Sequence, residues 1–268
     1  TITDDNNCSV NEPITIQAGN INPSVTVIGD TICLGQSTQL SVTATPSGGT
    51  FLWNNGTSNA TLNVSPIVTT QYSVLYNYSG CYSQGSAFVV VNPIPTVSVN
   101  SQTICLGETG TLLATPSLSG GNYTWSNNLI SQSITVSPSS TTNYSVIYTL
   151  NGCSSQSSTG IITVNPIPQL SIASSTICAG ETASVIATPS LPGGTIEWSP
   201  TGETTLSIDV SPIVTSSYSA IYTLNGCESN SASGTVTVNP IPVVDFSSNL
   251  SEGCAPLNVE LYNTSINA

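Results

Sequence analysis

The sequence predicts an all-β protein: a tandem array of small β-sandwich domains set end to end as a rod, with one disulfide in each. Three observations lead there. The segment VNPIP is written at 91–95, 164–168 and 238–242. Trp53, Trp125 and Trp198 recur at intervals of 72 and 73 residues, a fixed period of the kind that marks repeat architectures. Apolar residues alternate with polar ones at a period of two, and no segment sustains the 3.6-residue period of a helix.

The strands follow from that alternation. In QYSVLYNY one face carries Tyr72, Val74, Tyr76 and Tyr78; in NYSVIYTL it carries Tyr144, Val146, Tyr148 and Leu150; in SYSAIYTL it carries Tyr218, Ala220, Tyr222 and Leu224. Period two with β-branched and aromatic residues reads as a strand with one buried face. Shorter alternations at Leu62/Val64, Ile134/Val136 and Ile208/Val210 each close on Ser-Pro, which suits a strand end. FLW, YTW and IEW put Phe51/Trp53, Tyr123/Trp125 and Ile196/Trp198 on one face of another strand. PSGGT at 46–50 and LPGGT at 191–195 supply positive φ for turns, and YSGC and LNGC read as hairpin tips. About seven short strands per repeat make a sandwich.

The distance from first cysteine to tryptophan is 20 in every repeat, although the turn proline between them slides from 13 to 11 residues after the cysteine. Both ends are therefore expected to be held by one packed core. Trp53, Trp125 and Trp198 are its expected centre, joined by Tyr72, Tyr144 and Tyr218. Fixed aromatic positions in a sandwich are core far more often than sugar-stacking platforms. Tyr82, on one hairpin tip only, is the better exposed aromatic.

Eight cysteines and no histidine, with no CxxC spacing, exclude a zinc site and indicate disulfides made in an oxidising compartment. Cys33–Cys81 and Cys105–Cys153 are each 48 apart and Cys178–Cys227 is 49 apart, which predicts one bridge within each repeat. Each would join the start of the second strand to the tip of the last hairpin. A 73-residue sandwich buries too little surface to be more than marginal, and a bridge of this loop length adds roughly 4 kcal/mol in the chain-entropy view. Cys8 and Cys254 are expected to belong to neighbouring modules and to be unpaired here.

The chain has no Lys, Arg, His or Met and thirteen acidic residues, a net charge of −13. Without cations it cannot neutralise phosphate, so nucleic acid is excluded as a partner, and anionic lipid repels it. Ser–His, Cys–His and Lys chemistry lose their base. No apolar run is long enough to cross a membrane as a helix. No catalytic residue, cofactor or metal is expected, and the chain is not read as an enzyme. Glu108 and Glu181 share a position that Gln36 fills in the first repeat, which reads as a turn residue rather than an acid catalyst. Asp4, Asp5, Glu12 and Asp30 lie toward the first seam and are the one acidic grouping that invites calcium.

The seam itself is stiff. Pro93, Pro95, Pro166, Pro168, Pro240 and Pro242 fix φ and hold their predecessors extended, so each copy is expected to set the same angle between consecutive modules.

The string TICLGET…ATPS…GGNYTWS…ITVSPSSTTNYSVIYTLNGC…VNPIP resembles the immunoglobulin-like repeats of giant Bacteroidota cell-surface proteins, most of all SprB-type gliding-motility adhesins exported by type IX secretion. The resemblance divides the chain into the end of a preceding immunoglobulin-like repeat at 1–23, three such repeats at 24–95, 96–168 and 169–242, and at 243–268 the start of a PKD-like (polycystic-kidney-disease-type) domain with Cys254-Ala-Pro-Leu as its marker. Unlike antibody domains, these carry cysteines near the module's end. The resemblance implies a structural stalk segment of a long extracellular filament at the cell surface. Its partners would be the flanking repeats of the same chain, surface polysaccharide or the substratum, and a motor or outer-membrane anchor reached through other parts of the chain, with no direct membrane insertion. It also makes Thr31, in Asp30-Thr31-Ile32, the candidate O-glycan acceptor. The sequons at Asn55 and Asn122 carry less weight in so Asn-, Ser- and Thr-rich a chain. The alternatives are a spacer or carbohydrate-binding accessory of a secreted polysaccharide-degrading enzyme, favoured by an exposed aromatic patch, and a surface-lattice protein.

Overall fold

The structure is a computed structural model that describes residues 2–11, 13 and 21–266. Every regular element among them is a strand. β1 (Ile2–Thr3) and β2 (Ser9–Val10) pair antiparallel ahead of the first full repeat. That repeat contains β3 (Ser24–Val27), β4 (Asp30–Cys33), β5 (Thr38–Thr45), β6 (Thr50–Trp53), β7 (Thr61–Val64), β8 (Thr70–Tyr78) and β9 (Cys81–Asn92). The second contains β10 (Val97–Val99), β11 (Gln102–Cys105), β12 (Gly110–Pro116), β13 (Asn122–Trp125), β14 (Ser133–Val136), β15 (Thr142–Leu150), β16 (Cys153–Ser154) and β17 (Ser158–Asn165). The third runs β18 (Leu170–Ile172), β19 (Ser175–Cys178), β20 (Ala183–Pro189), β21 (Thr195–Ser199), β22 (Ser207–Val210), β23 (Ser216–Leu224), β24 (Cys227–Glu228) and β25 (Ala232–Asn239). β26 (Phe246–Ser248) and β27 (Leu261–Asn263) pair in the tail, with Val243 bridged to Ile266.

Each repeat makes two sheets. In the first the orders are β3-β5-β7 and β4-β9-β8-β6; the other two repeats reproduce both. The first strand of each repeat splits between the sheets. β3 pairs antiparallel with β5, the chain crosses at Ile28-Gly29, and β4 then runs parallel to β9. Gly29 is required there: a Cβ at this position would stand 2.4 Å from the Phe88 carbonyl oxygen. This split, with a buried tryptophan on β6, the strand that crosses from the sheet of β5 to the other sheet, is immunoglobulin-like topology. The chain is thus an array of immunoglobulin-like β-sandwiches.

The interior of the first repeat is built by Leu40, Trp53, Leu62, Val74, Tyr76 and Val89, all buried. In the third it is Val185, Trp198, Ile208, Ala220, Tyr222 and Val236. Trp53, Trp125 and Trp198 are each 1% exposed, and their indole N–H groups donate to the carbonyls of Asn59, Ser131 and Thr205 at 2.8–2.9 Å. The tyrosines divide by depth. Tyr72, Tyr144 and Tyr218 are half-buried at the margin, whereas Tyr76, Tyr148 and Tyr222, four residues on along the same face, are almost fully enclosed.

Those deep tyrosines explain the double glycines. Tyr148 Oη accepts from the Gly121 N–H at 2.6 Å and donates to the Leu118 carbonyl at 2.8 Å; Tyr222 does the same with Gly194 and Leu191. The first glycine of each pair takes positive φ, 97° at Gly120 and 96° at Gly193. The second leaves room for the phenol: a Cβ on Gly121 would meet the Thr149 carbonyl oxygen at 2.3 Å.

The chain divides into two compact units. One holds the residues up to Ser98 with Ala114–Gln132 and Val146–Ser158; the other holds Val99–Leu113, Ser133–Ser145 and the residues from Thr159 on.

Candidate functional site: the cysteine junctions

The cysteine pairing differs from the sequence expectation. Cys33 is bonded to Cys153 and Cys105 to Cys227, with sequence separations of 120 and 122. Each bond therefore joins the first cysteine of one repeat to the second cysteine of the next, inside one compact unit. The expected bridges Cys33–Cys81, Cys105–Cys153 and Cys178–Cys227 are not formed. Cys81 and Cys178 are free, as are Cys8 and Cys254.

Sheet register supplies the physical reason. Cys33 ends β4 opposite Asn92, the last residue of β9, while Cys81 begins β9. Eleven residue steps at about 3.3 Å each set them about 36 Å apart along the strand. A disulfide spans at most about 7 Å between Cα atoms. The third repeat repeats the geometry, with Cys178 opposite Asn239 at the far end of β25 from Cys227. The sequence reading brought both cysteines to one end of the sandwich, whereas the register sets them at opposite ends.

At the first cysteine a tight turn holds the backbone. The Glu108 carboxylate accepts from the Cys105 N–H at 2.7 Å, and the Glu108 N–H donates to the Cys105 carbonyl at 3.0 Å. Glu181 caps Cys178 in the same way, and Gln36 caps Cys33 through its amide oxygen at 2.9 Å. The glycine before each, Gly35, Gly107 or Gly180, has φ of 86–92°. The position uses one acceptor oxygen, which Gln36 supplies as Glu108 and Glu181 do.

At the second cysteine a hairpin tip presents the sulfur. Ser79-Gly80, Asn151-Gly152 and Asn225-Gly226 all have positive φ at both residues, the primed turn that matches strand twist. Repeats two and three then insert one residue relative to the first, 12 rather than 11 between the tip cysteine and the seam asparagine. The insertion separates β16 from β17 and β24 from β25 as a bulge, and turns Ser155 and Ser229 inward. Ser155 Oγ accepts from the Tyr148 N–H at 3.0 Å and Ser229 Oγ from the Tyr222 N–H at 3.0 Å.

The seam asparagine completes the junction. Asn92 Nδ2 donates to the Asn151 carbonyl and Asn165 Nδ2 to the Asn225 carbonyl, both at 3.1 Å. Its own carbonyl accepts from Leu34 in the first case and Leu106 in the second, at 2.9 Å. Among the seam prolines, Pro95 and Pro168 are buried, while Pro93, Pro166, Pro240 and Pro242 are exposed.

No protein family and no curated protein matches this sequence. Solved structures of similar fold do exist. An I-band fragment of titin is 14% identical with a TM-score of 0.48, covering 80% of this chain and 96% of that one. Extracellular domains 3–5 of Drosophila OTK are 14% identical with a TM-score of 0.37, covering 78% and 94%. The N-terminal eight immunoglobulin domains of Down Syndrome Cell Adhesion Molecule are 12% identical with a TM-score of 0.31, covering 91% and 45%. At these identities the likeness is one of fold alone.

The remaining candidates have plain surroundings. Thr31 is exposed on β4, and its N–H donates to the Asp30 carboxylate at 2.8 Å. Asp30 also accepts from the Thr38 hydroxyl, and these two bonds hold its carboxyl below the usual 3.8. Among the described residues no three of Cys, Asp and Glu converge as metal ligands; Glu12, one of the four acids considered for calcium, lies outside them. Tyr82 is 62% exposed. No described helix is long and apolar enough to cross a membrane.

Proposed function

We propose that this chain is a load-bearing stalk segment of a giant extracellular adhesin, of the kind that gliding cells move along their surface after type IX export. The observation that carries the reading is the repeat-to-repeat pairing Cys33–Cys153 and Cys105–Cys227. Bonds of this kind add nothing to a binding face. They tie consecutive modules together beside the peptide linker, which matters where a chain is pulled or cut. Disulfides also belong to an oxidising, extracellular setting. A surface with no cations carries one sign of charge everywhere, so parallel filaments repel. The indoles are enclosed, so the repeated tryptophans offer no sugar-stacking face of the kind an accessory to a polysaccharide-degrading enzyme would use, which supports the stalk reading. In this reading the modules are the three immunoglobulin-like repeats at 24–95, 96–168 and 169–242, flanked by the end of another and the start of a PKD-like domain. Their proline seams act as stiff joints, and the exposed Thr31 takes an O-glycan.

The test uses living source cells. Beads carrying an antibody to these repeats should travel along the cell surface and stop when the proton-motive force is collapsed. Beads that bind and stay put would leave a static stalk or lattice. Label found only in the medium would move the chain to a secreted enzyme.

A further inference from the structure

Two cysteines sit at junction positions and have no partner. Cys178 occupies the place of Cys33 and Cys105; Cys81 occupies the place of Cys153 and Cys227. Their surroundings differ from the bonded copies in one consistent way. Ile32 and Ile104 are buried, but Ile177 is only half-buried. Cys33 and Cys105 are half-buried, but Cys178 is exposed. Asn92 and Asn165 are half-buried and each donates to a hairpin tip, but Asn239 is exposed. Pro95 and Pro168 are buried, but Pro242 is exposed. On the other side, Cys153 and Cys227 are 1% exposed, but Cys81 is half-buried. Four positions uncovered together at the end of the third repeat describe a docking face that lacks its occupant, and the half-buried Cys81 is the matching hairpin tip on the first repeat.

The apparatus of the face is nonetheless complete. Glu181 caps the Cys178 N–H at 2.8 Å, as Glu108 caps Cys105. The Ala179 N–H holds the Asn239 carbonyl at 2.9 Å, as Leu106 holds that of Asn165. The seam Val238-Asn-Pro-Ile-Pro242 repeats the two seams beside which bonds have formed.

We propose that Cys178 and Cys81 are further rungs of the same disulfide ladder, and that every module of the array is bonded to the next. The partner of Cys178 is the tip cysteine of a small-residue-Gly-Cys hairpin on the following module of the same chain. In the formed junctions that cysteine follows the seam proline by 60 residues (Pro93 to Cys153) and 61 (Pro166 to Cys227). Cys254 follows Pro240 by only 14 and lies in the irregular segment between β26 and β27, so it is not that tip cysteine. The partner of Cys81 is the first cysteine of the preceding module, about 120 residues earlier, as in the two formed rungs. The tether through an identical seam favours this occupant over a second copy, because linked modules meet at a high effective concentration.

Each rung forms by thiol–disulfide exchange with a protein or small-molecule disulfide as oxidant. The Cys178 thiolate attacks one sulfur of the oxidant and releases its first thiolate. The tip cysteine then attacks the Cys178 sulfur and releases the second. Two protons leave the protein thiols, and the two electrons end on the oxidant's two sulfurs.

The inference rests on the tandem-array reading but not on movement of the filament. The intact surface protein that carries this chain would be isolated from its source with an alkylating agent present throughout, cut without reduction, and mapped by mass. Cys178 is expected in a cross-linked peptide with a Gly-Cys hairpin tip from outside these residues, and Cys81 with an Ile-Cys-X-Gly segment, both free only after reduction. Recovery of either cysteine alkylated would overturn the proposal, as would a bond from Cys178 to Cys81, Cys8 or Cys254. Cys33–Cys153 is the internal control: its loss would refute the stapled array itself, while its presence beside an alkylated Cys178 would refute only the continued ladder.

Discussion

At the residue scale, each repeat depends on a few polar atoms that have one partner apiece. The Tyr148 hydroxyl lies between a glycine N–H and a carbonyl in a site almost closed to water. Tyr148→Phe leaves both without their partner and should cost about 1–3 kcal/mol, read from the midpoint of a denaturant titration. Trp125→Ala removes far more packed volume and should cost about 3–5 kcal/mol. Glu108→Gln should be silent and Glu108→Ala should destabilise, since an oxygen rather than a charge caps Cys105. Asp30 gives a pH signature. Its folded value is depressed, so its contribution is present above the usual 3.8 and is lost as pH falls through the lower folded value. Midpoints of the parent and Asp30→Asn should therefore differ near neutrality and converge in acid; a constant gap would contradict this. The enclosed tryptophans were legible from their fixed 20-residue distance to a cysteine. That the second tyrosine of each strand lies deeper than the first was not, because both share a face and only the facing glycine turn sets the depth.

At the element scale, the strand alternation, the hairpin tips and the double-glycine turns all follow from residue pattern, and the strands form where that pattern puts them. The disulfide pairing does not follow, for a reason inherent in periodicity. When every repeat holds a first and a second cysteine, the spacing within a repeat and the spacing to the next are both constant. Regular spacing cannot choose between them. The choice is made by one register, β4 parallel to β9 with Cys33 beside Asn92, and a parallel pairing across some 60 residues leaves no local mark in the sequence. This yields a sharp test. If Cys33 were bonded to Cys81, then Cys81→Ser would free Cys33. The structure requires instead that Cys33–Cys153 and Cys105–Cys227 both survive Cys81→Ser, while Cys153→Ser frees Cys33 alone. Non-reducing peptide mapping after a protease that cuts at aromatic residues distinguishes the two; trypsin has no site.

At the scale of the whole molecule, the two bonds interlock. The loops 33–153 and 105–227 overlap between 105 and 153, so a single backbone cut anywhere from Cys33 to Cys227 leaves the halves covalently joined. Each loop also limits the unfolded ensemble, by about 5 kcal/mol in the chain-entropy view for a closure of this length. The mechanical consequence is larger. Cys33 and Cys227 are 194 positions apart along the backbone, 227 less 33. The shortest covalent path passes from Cys33 to Cys153, back along the chain to Cys105, and across to Cys227, with only 48 positions of peptide. Fully extended, the first path measures about 640–700 Å and the second about 160–170 Å. Stretching one chain between a surface and a probe should therefore show a short total extension under oxidising conditions. A thiol reductant added during the pull should release about 500 Å more. Equal extensions before and after reduction would mean that the rungs carry no load. Three separate intra-repeat bridges would predict something else: all three repeats would shorten independently, and Cys81→Ser would lengthen the trace by about one repeat loop. In the stapled chain Cys81→Ser changes nothing, whereas Cys153→Ser lengthens the path between Cys33 and Cys227 from 48 to 72 positions, the distance from Cys33 to Cys105.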